Sequence, residues 1–247
     1  MKKLFFIILL LNISILSYSL NFSVAPTGFA VDLKKVSTYE IYITNNTSDS
    51  LRLEAHFNSD TGFGEKYNLN SNLTIFPKII SVKPASTQTV RFRVKPDSSM
   101  KDGEYASLLT FTEIPGEIKT VADNTQNTGV STNLQFITEI NIGVYGYKGE
   151  LTHKGTLSDI KFSSANNLAV ITASSLSEGN TSLKFSCNLK VLNSNTEIEG
   201  LLGISAREGK KDLSLSLQLE PNLKGKKAKL VITDQNGKVY YDKVHTL

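Results

Sequence analysis

A single cysteine, Cys187, rules out an intrachain disulfide, so packed cores alone have to hold the fold. It sits in the alternating segment SLKFSCNLKVL and reads as a small buried apolar residue. Tryptophan is absent, and the only histidines are His56, His153 and His245. None of them has a second histidine, cysteine or carboxylate at metal-ligand spacing, so no metal is expected. GxSxG, HExxH, a phosphate-binding glycine loop and paired cysteines are all missing. Asp60-Thr61-Gly62 matches the aspartic-protease tripeptide, but it occurs once, in a turn-rich stretch, and reads as a turn. With no residue set for acid–base, nucleophilic or cofactor chemistry, the sequence predicts no enzyme, no cofactor and no small-molecule substrate. The formal charge of +4 comes from scattered lysines with no basic stripe among stacking aromatics. That argues against nucleic acid as a partner.

Long hydrophobic runs are equally scarce. One exists, at the start, where Lys2 and Lys3 precede the apolar stretch Leu4 to Leu16 and Ser17-Tyr18-Ser19 supplies small residues at a cleavage site. This is the pattern of a secretory signal over residues 1–19, too short and wrongly flanked for a membrane anchor. The mature chain is expected to begin near Leu20, exported and without stable membrane insertion.

Helical periodicity is missing too. Short alternating runs separated by Asn, Ser, Gly, Asp and Pro clusters fill the chain, which is the all-β pattern. Six such runs precede about residue 147 and a second group follows it. The last pair, VITDQNGKVYYDKV, carries Asn236-Gly237 between alternating strands, a strong hairpin signal. Two consecutive β-sandwiches are predicted, over residues 20–147 and 148–247, with the seam at the glycines Gly146, Gly149 and Gly155. The polar stretch between Pro115 and Asn133 reads as a loop. It leads into NLQFITEINIGVYGYKGE (133–150), a period-two run about twice the usual strand length of about 5–6 residues. Asp102-Gly103-Glu104-Tyr105 has the form of a tyrosine corner, in which the phenol bonds back to upstream backbone; a plain buried tyrosine is the other reading. Arg91 and Arg93 alternate with Val90, Phe92 and Val94 and read as the solvated side of a strand.

The segment IISVKPASTQTVRFRVKPDSSMKDGEYASLLTFTEIP (79–115) resembles the N-terminal domain of the PapD-like periplasmic chaperones of pilus assembly. The P-x-x-x-Q-x-V-R element runs from Pro84 to Arg91. DGEY then leads to Leu109, Phe111, Glu113, Ile114 and Pro115. FSVAPTGFAVDL and YEIYITNNT near the start, and KLVITDQNGKVYY near the end, are similar to the family's first strands and closing hairpin.

This resemblance implies two immunoglobulin-like sandwiches in an L or boomerang arrangement. It implies a periplasmic chaperone that caps pilin or fimbrial subunits by donor-strand complementation and delivers them to an outer-membrane usher. The long strand falls where the donor strand should be, with Leu134, Phe136, Thr138, Ile140 and Ile142 as the alternate side chains offered to the subunit. Family members hold the subunit's terminal carboxylate with an arginine and a lysine. Gly28 and Gly143 fall at or beside those two positions here, which leaves Lys148, Lys34 or Lys35 as substitutes, or a backbone-amide pocket at the glycines. The alternative is a secreted two-domain sandwich of the same ancestry with a structural, adhesion or surface-assembly role. In that case the even face of 134–144 is ordinary core.

Overall fold

The computed structural model describes residues 20–116 and 136–247. The expected signal segment 1–19 and the first three residues of the long strand therefore lie outside the described residues. Apart from three single-turn 3-10 helices, every described regular element is a strand, in agreement with the all-β expectation. The first group is β1 (Phe22–Ala25), β2 (Gly28–Asp32), β3 (Ser37–Asn45), β4 (Leu51–Asn58), β5 (Leu73–Phe76), β6 (Ile79–Val82), β7 (Thr87–Val94), β8 (Gly103–Glu113) and β9 (Glu139–Lys148). The second is β10 (Gly155–Ala165), β11 (Leu168–Ser177), β12 (Lys184–Val191), β13 (Glu197–Ile204), β14 (Gly209–Gln218), β15 (Lys227–Asp234) and β16 (Val239–Thr246).

A four-stranded sheet in the order β1-β3-β7-β5 faces a five-stranded sheet in the order β2-β9-β8-β4-β6. Alternation puts one side of each between them. On β7, Val90, Phe92 and Val94 are at most 1% exposed, while Arg91 and Arg93 stand in solvent on the other side. Phe22, Ile41, Leu53, Phe92, Leu109 and Phe111 are fully enclosed in this core. A second core, around Phe185, Leu189, Leu230 and Ile232, lies between β10-β11-β14 and β13-β12-β15-β16. The hairpin at Asn236-Gly237 closes β15 on β16. Gly237 adopts φ +80°, and the Asp234 carboxylate accepts the Asn236 and Lys238 amides at 2.8 and 3.0 Å. Strands β2, β5 and β6, which the sequence reading passes over, are four or five residues long. So short a run shows too few alternations to stand out.

The two sandwiches meet around the start of β8. The Tyr105 hydroxyl donates to the Lys101 carbonyl at 3.0 Å, which is the tyrosine corner. One residue before it, the Glu104 carboxylate is 5% exposed and accepts both the backbone N–H and the hydroxyl of Ser182, each at 2.7 Å. The Glu104 N–H in turn donates to the Asn180 carbonyl at 2.9 Å. From the second sandwich Arg207, also 5% exposed, lays its guanidinium 3.5 Å from the Tyr67 ring centre, and its backbone N–H donates to the Phe63 carbonyl. Asp60-Thr61-Gly62 is the turn expected of it. The Asp60 carboxylate caps the Gly62 and Phe63 amides and so presents Phe63 to Arg207. A buried guanidinium over an aromatic face gains far more than an exposed one.

Cys187 is 2% exposed within the second core, and burial pushes its thiol from an ordinary 9.0 up to about 12. Burial, helped by the Glu104 carboxylate, raises the Tyr147 phenol from 10.0 to about 12 as well. Both groups stay neutral in the folded state while the unfolded chain ionises first. Above about pH 9 the unfolded state therefore binds fewer protons, so the stability these groups contribute is complete below that value and is lost as pH climbs toward 12. Two outcomes are expected. The urea midpoint falls progressively above about pH 9. Iodoacetamide leaves Cys187 unlabelled at about pH 8 until denaturant is added. Labelling of the native protein at the rate of a free thiol would contradict the burial.

Candidate functional site

Strand β9 runs antiparallel to β8 along its whole length, from Glu139↔Thr112 to Lys148↔Gly103. On its other side β2 runs parallel, but only from Gly28↔Gly143 to Asp32↔Tyr147. Glu139 to Ile142 are thus paired on one side only among the described residues. The sequence dictates this gap. Pro26 has no amide proton to give a ladder, and at the Ala25-Pro26 step the chain crosses from β1, in one sheet, to β2, in the other.

The strand is shorter than the sequence predicts, beginning at Glu139 rather than at residue 133. The ladder explains the difference. The Glu113 N–H donates to the Thr138 carbonyl at 2.9 Å and Ile114, facing the other way, donates to the Arg52 carbonyl on the β4 side. The next residue that would face β9 is Pro115, which has no N–H to give. Nothing on β8 lies opposite Ile137 and Phe136, so alternation continues in the sequence where pairing has stopped.

The predicted donor residues divide accordingly. Leu134 lies outside the described residues. Phe136 is 80% exposed and Ile137 55%. Thr138 and Ile140 are half-buried, with Ile140 packed against the core from its margin. Ile142, at 2% exposure, and Val144 belong to the first sandwich's own interior. Ile142, expected among the side chains offered to a subunit, is therefore a core residue.

Gly28 and Gly143, the two positions where the resemblance leads one to expect cations, face each other across the β2–β9 ladder. Neither has a positive φ that would require glycine. A Cβ on Gly28 would meet only the Gly143 carbonyl, at 3.6 Å, so that site is open. A Cβ on Gly143 would fall 2.7 Å from the Tyr145 ring, which covers the bare backbone and meets Phe63 edge-on at 6.2 Å. Burial, with the Asp60 and Glu104 charges, raises the Tyr145 phenol above its ordinary range.

The three candidate lysines gather at the opposite end of β9. The Lys148 ammonium donates to the Asp97 and Ser98 carbonyls at 3.0 and 3.1 Å and so ties down its own neighbouring loop. Lys34 and Lys35 follow β2, beyond Asp32↔Tyr147. Strand β2 carries the chain roughly 13 Å from Gly28 to Asp32 before it turns at Leu33 and Lys34. The register places all three lysines at or beyond the far end of the β2–β9 pairing, not at the glycine pair.

Sequence reasoning missed two side chains here, Glu113 and Asn141. Both bond to the open half of β9 or form part of it. The only sequence signal is polarity: Asn141 sits on an outward, odd position of a run read for its apolar even ones, and Glu113 ends β8 on the face that carries Leu109 and Phe111. Among the described residues no group of three or more His, Cys, Asp or Glu is placed to hold a metal ion, and no helix is long and apolar enough to cross a membrane.

The family described as pili and flagellar-assembly chaperone, PapD N-terminal domain, matches residues 22–144. No curated protein matches the chain. Among solved structures it is similar to the CupB2 chaperone of Pseudomonas aeruginosa, at 11% identity and a TM-score of 0.49, over 91% of this chain and 100% of that one. The E. coli chaperone DraB gives 12% identity and 0.47, over 92% and 96%. The Salmonella enterica SafB chaperone in complex with the SafA pilin gives 9% and 0.46, over 94% and 98%.

Proposed function

This chain belongs to the PapD-like family of pilus-assembly chaperones, and from that premise we propose that it captures pilus subunits along the open half of β9. The observation that carries the reading is the one-sided ladder at Glu139 to Ile142, continued by the exposed Phe136 and Ile137. An unpaired edge next to exposed apolar side chains is a liability in a free protein. A subunit whose own sheet lacks a strand would pair with that edge through main-chain hydrogen bonds, while Phe136 and Ile140 enter its groove and set the register. The role needs no catalysis. Export to the periplasm by the segment 1–19 and delivery of the captured subunit to an outer-membrane usher complete the proposal.

The subunit's terminal carboxylate would find no cation at Gly28 and Gly143. If it is held by charge, Lys34 or Lys35 remains the better candidate, because Lys148 is already engaged by two carbonyls. The same glycine pair favours the second reading, a surface-assembly or adhesion role for a chaperone-derived sandwich.

Co-export with the subunit encoded beside its gene separates the two readings. A stable one-to-one complex on purification supports capture. A neighbourhood without usher or subunit genes, or a subunit that never co-purifies, supports the alternative.

A further inference from the structure

An interior strand is held in line by neighbours on both sides, whereas the open half of β9 has one neighbour. Side chains take over the missing constraint. On the outward face the Asn58 amide donates to the Thr110 hydroxyl at 3.1 Å, and that hydroxyl, fully buried, donates to Asn141 Oδ1 at 2.6 Å. The Asn141 amide donates to Glu139 Oε1 at 3.1 Å, and the Thr112 hydroxyl donates to Glu139 Oε2 at 3.3 Å. The row therefore runs from β4 through β8 onto both outward residues of the open half.

The start of the open half is fastened separately. One oxygen of the Glu113 carboxylate accepts the Asn21 amide at 2.8 Å and the Thr138 backbone N–H at 3.4 Å. Because the Glu113 N–H also donates to the Thr138 carbonyl at 2.9 Å, Thr138 is held through both of its backbone groups. Asn21 leads into β1 of the facing sheet, and its carbonyl accepts the Asn46 N–H at 3.0 Å. A single carboxylate thus links the two sheets at the point where β9 enters its ladder. Hydrogen bonds to an ionised acceptor are the stronger kind.

We propose that Glu113 and Asn141 are positioning residues for partner capture, holding Thr138 to Ile142 extended before any partner strand arrives. The proposal rests on the reading that this edge is where the subunit pairs. Its physical content is preorganisation. A segment already fixed in the bound conformation does not spend ordering entropy when the partner docks, so the complex forms more tightly for the same contacts.

The test compares Glu113→Ala, Glu113→Gln and Asn141→Ala with wild type in three measurements: backbone amide exchange over 138–142 in the free protein, thermal midpoint, and yield of co-exported subunit. Removing a hydrogen bond to a charged acceptor should speed exchange at Thr138 to Ile140 roughly tenfold and weaken capture by a similar factor. The thermal midpoint should move by only a few degrees. Glu113→Gln, whose amide oxygen can still accept both bonds without the charge, should recover most of both effects. Unchanged exchange in the alanine variants, or faster exchange with undiminished capture, overturns the proposal while leaving the docking edge intact. A wild-type protein that captures no subunit overturns the docking reading, and the proposal falls with it.

Discussion

Phe136→Asp should lower subunit capture by more than about a hundredfold and leave the isolated protein folded. A buried aromatic anchor in a strand-addition interface contributes on the order of 2–4 kcal/mol, and a carboxylate in the same apolar groove adds a desolvation cost. The side chain is 80% exposed in the free protein, so its own sandwich gains little from it. Surface changes of this kind shift stability by no more than about 0.5 kcal/mol. The informative control is Ile142→Asp, the fourth residue of β9 but 2% exposed in the core, which should unfold the first domain. Ile140→Asp, half-buried at the margin, should show part of each effect. Co-purification and circular dichroism on the three variants read both properties at once. A Phe136→Asp protein that captures subunit as wild type does, or that fails to fold, removes the donor assignment.

Gly103→Ala should destabilise the whole chain by about 3 kcal/mol. Gly103 adopts φ +134°, where an L side chain is strained, and its Cβ would lie 2.4 Å from an Arg207 nitrogen and 2.6 Å from the Asn180 carbonyl. Left-handed backbone costs roughly 1–2 kcal/mol and overpacking about 1–3 kcal/mol. The arginine end can move, but the carbonyl is backbone and is itself bonded to the Glu104 N–H. The substitution therefore pushes the two sandwiches apart at their polar joint. For a chain of this size a loss of that order lowers the thermal midpoint by roughly 6–12 °C. A midpoint within a degree of wild type would show that the joint tolerates being opened.

Much of this was legible because one physical signal dominates. Alternation over long strands announces burial on one face, and it located β7, β8 and the Asn236-Gly237 hairpin to within a few residues. The tyrosine corner was readable because its chemistry is local: Tyr105 reaches only as far as Lys101. The limits of β9 were not legible. Asn133 to Thr138 alternates as regularly as the residues after it. Where pairing ends depends on Pro115 on the opposite strand, which has no N–H to offer β9, and nothing in the run itself encodes that. The joint was hidden for the same reason, since Glu104 and Ser182 lie 78 residues apart and only the fold brings them together. That Gly28 and Gly143 fall near each other could be reached by resemblance, but that they pair directly follows from the parallel register of β2 on β9. That Gly143 lies under the Tyr145 ring while Gly28 is open follows from the fold.

That register also sets a length limit. From Gly143 onward β2 already occupies the edge, so an added strand can run alongside residues 136 to 142 and must then stop or leave the sheet. Seven residues of extended chain measure about 23 Å. The Gly28–Gly143 pair works as an end-stop. On the proposed docking reading, a visiting segment longer than that would gain no further ladder and a shorter one would leave amides of the open half unsatisfied, so partners would be selected by span as well as by side chain.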